Sequence, residues 1–197
     1  MPLHIQTPLI ESRPMSLAAG RSIWLKLDAL QPCGSFKLRG VGHACEQHHA
    51  RGARHFVSSS GGNAGLAVAY AGRSLGVPVT VVVPETTSER ARELLRLEDA
   101  KVIIHGGSWQ EANQLAQTLV GANDAFIHPF DDPLLWTGHA SLIPAVCLTP
   151  DGAPEKHDFA ATLAASVQAR AGSATALWLS YLRRFPGDLP AFVRQWL

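Results

Sequence analysis

The run VPVTVVVP, residues 77–84, limits the fold more than any other stretch of the chain. Valines and one threonine fill it, with no charge and no polar alternation. Such a strand has no face that prefers water, so both faces must be covered. That is the condition of an inner strand in a parallel sheet. The neighbouring segments agree. HFVSS (55–59), KVIIH (101–105) and AFIH (125–128) read as further short strands. Between them, GNAGLAVAYAGRSL (62–75), TTSERARELLRLEDA (86–100) and WQEANQLAQTLV (109–120) have helical character. Short strands alternating with helices indicate βαβ units. The expected fold class is therefore α/β, a parallel twisted sheet with flanking helices, and the regular part should form a small domain over about residues 35–143.

The flanks are less regular. Residues 1–30 read as loop and short strands, with SIWLKLDAL (22–30) as the best strand, and a helical stretch follows from Ser35 to about residue 54. Thr86 with Glu89 fits a capping box. Asp132 before Pro133 fits an N-cap with proline in the first helical position. Beyond Ile143 a proline-rich loop and three helical stretches follow, so residues 144–197 are expected to be a mainly helical tail and the second domain incomplete.

Charge and cysteine usage remove several function classes. The chain has 17 Lys+Arg against 16 Asp+Glu, without a basic stripe, so no nucleic-acid partner is expected. Cys33, Cys45 and Cys147 form neither a closed disulfide set nor a CxxC metal motif, which implies no metal and a reducing, cytoplasmic setting. The N-terminus lacks the pattern of a secretory signal, and no apolar run reaches membrane-spanning length.

Two stretches can carry chemistry. In QPCGSFKLRG (31–40), Lys37 follows Gly-Ser-Phe at an expected helix start. A lysine there is ordinarily a solvated side chain, but a desolvated one has a depressed pKa and a nucleophilic amine. In SSSGGNAG (58–65), a loop between strand and helix offers small residues and a helix N-terminus suited to a carboxylate or phosphate. It is neither a P-loop nor GxGxxG, and an ordinary glycine-rich turn explains it equally well. Elsewhere the plain readings are preferred. Cys45 and His49 could share a helix face but are only two ligands. His48 and His49 read as surface residues. His139 and Ser141, two apart on a helix, should diverge.

Together, PCGSFKLRG, SSSGGNAG and PFDDPLLWTGHASL (129–142) resemble the pyridoxal-phosphate-dependent serine/threonine dehydratases of the tryptophan-synthase-β-like fold, the catabolic L-serine dehydratase group above all. The resemblance carried by these motifs covers residues 3–143. It implies that Lys37 forms the Schiff base with pyridoxal 5'-phosphate, that Phe36 stacks on the cofactor ring, and that Asn63 hydrogen-bonds its 3-oxygen. Ser60, Gly61, Asn63 and Ala64 would hold the substrate carboxylate. Gly61 stands where this group carries Ala or Gly. The implied activity is β-elimination of water from L-serine or L-threonine, giving pyruvate or 2-oxobutanoate and ammonia. Related enzymes suggest a homodimer. The group continues into a glycine cluster for the cofactor phosphate, whereas this chain has no Gly-Gly pair after Ile143. A truncated, non-catalytic remnant or a subunit-binding partner is the alternative expectation.

Overall fold

The computed structural model describes residues 1–20 and 22–142. The expected tail helices and Cys147 lie outside the described residues. In chain order the elements are β1 (Leu9–Glu11), α1 (Arg13–Ala19), β2 (Trp24–Lys26), a 3-10 turn (Asp28–Leu30), α2 (Lys37–Ala50), β3 (His55–Ser58) and α3 (Asn63–Leu75). There follow β4 (Val79–Val83), α4 (Glu89–Leu97), β5 (Lys101–Ile104), α5 (Trp109–Thr118), β6 (Asp124–Phe126) and α6 (Pro133–Ala140).

The valine run is β4, buried along its whole length. It lies inside a four-stranded sheet of order β5-β4-β3-β6. Every pairing in that sheet is parallel, with Phe56 opposite both Val79 and Ala125, and Val81 opposite Val102. Alternate residues of β4 serve different layers. Val79, Val81 and Val83 join the larger core with Ala67, Val68 and Ala71 of α3 and Leu38 and Val41 of α2. Val82 joins Val57, Ala112 and Ala116 beneath α5. One strand thus anchors both apolar layers, which accounts for its lack of polar alternation.

The order reverses at β3. From β3 the chain steps outward to β4 and β5, then returns through α5 to place β6 on the other side of β3. Right-handed crossovers require that reversal to put α5 on the opposite face from α3. The boundary between β3 and β6 is therefore a topological switch point, and such sheets open a crevice there beyond the strands' carboxyl ends.

Three local expectations are corrected. The strand expected over 22–30 is only Trp24–Lys26, paired antiparallel with β1; Asp28 turns inward to meet Arg39, and the chain bends into the 3-10 turn. The cap of α4 is Ser88, whose hydroxyl accepts from the Ala91 N–H, and not Thr86. The Thr87 N–H is held by the Pro84 carbonyl in a turn, so the helix starts later, and Glu89 pairs with Arg92 and Arg96 instead of reaching back. His48 is half-buried, with Nε2 lacking a partner among the described residues. The cap at Asp132 is as the sequence indicates, its carboxylate accepting from the Leu134 N–H at 2.7 Å. Cys45 is fully buried while His49 is exposed, so they do not form a ligand pair.

Candidate active site

Two features lie beyond the carboxyl ends of β3 and β6. The SSSGGNAG segment leaves β3 and enters α3. The Lys37 amine reaches the segment after β6, where its Nζ donates to the Pro129 carbonyl at 3.0 Å. The two strand ends are joined directly: the Ile127 N–H donates to the Val57 carbonyl at 2.8 Å, and Ser58 Oγ donates to the Ile127 carbonyl at 3.1 Å. Lys37 and the glycine-rich loop therefore lie at the carboxyl ends of the two strands that meet at the switch point of the sheet.

Lys37 is the first residue of α2, with Phe36 at the N-cap and no side-chain capping bond. A cation in the first turn opposes the helix dipole, and no acidic residue occupies that turn. Burial alone lowers the Lys37 pKa from its ordinary value. Its partner is a neutral carbonyl, so desolvation is not offset by a counter-charge. The Phe36 ring lies beside the amine, its centroid 5.4 Å from Nζ, and Phe36 is 48% exposed toward solvent.

The start of α2 is held by a polar anchor that the sequence does not announce. Arg39 is buried and forms two bonds to Asp28, Nε to Oδ2 at 2.7 Å and Nη2 to Oδ1 at 3.0 Å. Thr7 also donates to Asp28 Oδ1, at 2.6 Å. The Arg39 bonds and the Thr7 hydroxyl outweigh the burial penalty and hold the Asp28 carboxyl at about 2. Arg39 Nη1 further donates to Ser141 Oγ at the end of α6.

The loop has its own restraints. Gly65 is obligatory, because a Cβ there would overlap the Ser60 carbonyl oxygen. At Gly61 a Cβ would meet Thr87 Cγ2 at 2.7 Å, so the smallest residue fits beside the turn before α4. Gly62, the N-cap of α3, faces open space. Helices α4, α5 and α6 are capped by Ser88, Ser108 and Asp132, but α3 has no side-chain cap. Its first N–H groups thus lack a side-chain acceptor. Of the residues expected in this site, Asn63 is exposed at the first position of α3, and Ala64 is buried behind it. Ser60 Oγ accepts from the Gly62 N–H at 3.3 Å, within the loop itself. A partly desolvated amine bonded only to a neutral carbonyl among the described residues, and an uncapped helix start at the same strand ends, fit a cofactor aldehyde together with an anionic group.

Sequence comparison agrees with the geometry. A family model described as "Pyridoxal-phosphate dependent enzyme" matches residues 1–188. The chain belongs to the pyridoxal-phosphate dependent enzymes. That match runs beyond residue 143, where the resemblance carried by the motifs stops. Among curated members of this family, the chain is 50% identical over 157 residues to "Serine dehydratase-like" of Homo sapiens, covering 77% of this chain and 47% of the relative. It is also 50% identical over 144 residues to "L-serine dehydratase/L-threonine deaminase" of Homo sapiens, covering 72% and 44%. Among solved structures it resembles a fungal L-serine ammonia-lyase from Rhizomucor miehei, with a TM-score of 0.73 and 33% identity over 78% of this chain and 50% of that one. The chain spans about half the length of the curated relatives it matches.

Proposed function

We infer that this chain is the N-terminal part, over residues 1–143, of an L-serine/L-threonine ammonia-lyase that uses pyridoxal phosphate, with its βα domain starting at about residue 35. The observation that carries this reading is the Lys37 amine, partly desolvated and without a carboxylate partner among the described residues, at the same strand ends as the uncapped start of α3. Lys37 would hold the cofactor covalently, Phe36 would lie against its ring, and the Asn63 amide would bond its 3-oxygen. When bound, the cofactor supplies an electron sink for the substrate Cα. The chain's own groups do the rest. The N–H groups at the start of α3, with Ser60, Gly61, Asn63 and Ala64, bind the substrate carboxylate. Lys37 Nζ, freed when the substrate amine takes its place on the cofactor, would take the Cα proton, a role favoured by its lowered pKa. Water leaves across Cα–Cβ and returns at the C–N bond, so L-serine yields pyruvate and ammonia, and L-threonine yields 2-oxobutanoate and ammonia. A homodimer in the cytoplasm completes the proposal, by analogy with the relatives and from the free cysteines Cys33 and Cys45.

A second reading keeps the family fold without catalysis, as a partner of a full-length subunit. One titration decides between them. With saturating pyridoxal phosphate the protein should develop a visible absorbance band. Borohydride should bleach that band and add the cofactor's mass to the Lys37 peptide, and Lys37→Ala should abolish both. Absence of band and adduct would overturn the enzyme reading. Pyruvate release from L-serine then separates turnover from binding.

A further inference from the structure

His139 lies on α6, yet its environment belongs to the start of α2. Two glycines let these helices meet. At Gly138 a Cβ would overlap the Arg39 carbonyl oxygen, and at Gly40 a Cβ would lie 2.5 Å from His139 Nε2 and 2.6 Å from its Cε1. The imidazole fills the notch that Gly40 leaves in α2. One helical turn earlier on α2 stands Phe36, whose ring centroid is 5.3 Å from that of His139 at an interplanar angle of 48°. The Lys37 amine also lies beside the Phe36 ring, 5.4 Å from its centroid. A continuous chain of contacts therefore runs from the Gly40 notch through His139 and Phe36 to Lys37.

His139 Nδ1 is buried and has no partner among the described residues, a condition that destabilises the folded state. The charges around it also restrict its form. Lys37 and Arg39 face it from α2, and the Asp28 carboxylate is engaged by Arg39. Burial, reinforced by Lys37 and Arg39, lowers its pKa to about 4, so the ring is neutral at physiological pH.

We propose that His139 is a positioning residue for Lys37: its ring, seated over Gly40, holds Phe36 against the amine and keeps that amine partly desolvated. The proposal rests on Lys37 being the reacting group, but it concerns the folded chain before any cofactor binds. It acts through Phe36, so the shape of the ring at position 139 is what counts.

The test is the pH dependence of Lys37 acylation in the cofactor-free, full-length chain, read peptide by peptide by mass spectrometry. Lys101, exposed on β5, serves as internal reference. His139→Ala should move the Lys37 profile toward that of Lys101 and slow its labelling near pH 8 by about threefold, the result of a pKa rise of roughly half a unit. His139→Phe, which keeps a ring in the notch, should retain the native profile, and Phe36→Leu should reproduce the loss seen with alanine. An unchanged Lys37 profile in folded His139→Ala would overturn the proposal. So would a loss in His139→Phe equal to that in the alanine variant. If His139→Ala fails to fold, a native profile in Phe36→Leu overturns it instead. None of these readings depends on cofactor binding, so they stand apart from the absorbance test of the enzyme reading.

Discussion

Lys37 occupies a position that helix energetics disfavour. It is a cation at the positive end of α2, half-buried, with a carbonyl as its partner. A lysine whose folded pKa lies below its unfolded value binds protons more weakly in the folded state. The resulting penalty is fully present below the folded pKa and is relieved as pH rises toward the ordinary value near 10.5. Replacing it with an apolar side chain of similar length removes that penalty. Lys37→Met is accordingly expected to raise the thermal midpoint at neutral pH, with the gain shrinking in alkaline buffer, while the cofactor adduct is lost. A lowered midpoint at neutral pH would show that the amine is part of the scaffold, stabilised by its bond to Pro129. Stability gained where function is lost is the mark of a residue kept for chemistry.

The helices show the same contrast at the next scale. Three of the four that follow strands of the parallel sheet carry a Ser or Asp cap, and α3 does not. The Gly62 backbone, at φ −110°, is not in the left-handed region, and a Cβ there meets nothing within 4 Å among the described residues. Gly62→Asp should therefore install a cap worth about 0.5 kcal/mol through its hydrogen bond and its charge at the dipole. The same carboxylate would occupy the N–H groups proposed for the substrate. Urea unfolding should move to a higher midpoint while L-serine binding to the cofactor-loaded protein weakens. Unaltered binding with a raised midpoint would place the substrate carboxylate elsewhere. Much of this level was legible from the sequence, because strand and helix periodicities report burial directly. The βα units from β3 to α5 follow the apolar pattern closely. Helix α1 escaped that reading because none of its residues is buried, so it has no apolar face to detect. The α4 cap was misplaced because Thr86 and Ser88 both suit the role, and a backbone turn at Pro84–Thr87 decides between them. The Asp28–Arg39 pair and the Gly40–Gly138 contact were not legible, since they join distant segments whose meeting no local period records.

Over the whole molecule, those unannounced contacts hold the N-terminal segment to the βα domain. Asp28 collects Thr7 and Arg39, and Arg39 reaches Ser141 at the end of α6. Gln31 exchanges two bonds with the Ile5 backbone, and Glu46 accepts from the Leu3 N–H. The first thirty or so residues are thus fastened to α2 by polar groups, one of which titrates far from its ordinary range. The folded Asp28 carboxyl sits at about 2 against an ordinary 3.8. Its contribution is therefore complete above the ordinary value and disappears as pH falls toward 2, an amount on the order of 2 kcal/mol for a group this buried. Unfolding free energies measured by urea should fall over that window. Asp28→Asn should flatten this part of the dependence, because the titrating group is gone. It should also lower stability at neutral pH by about 3–5 kcal/mol, since a buried guanidinium would lose its counter-charge. If the variant loses stability yet keeps the full acid slope, the acid sensitivity arises from other carboxylates and the pair is not what ties the segment down. If the slope flattens as expected, one ion pair links the N-terminal segment, the start of α2 and the end of α6. The helix that presents Lys37 would then be set in place by the part of the chain least visible in its own sequence pattern.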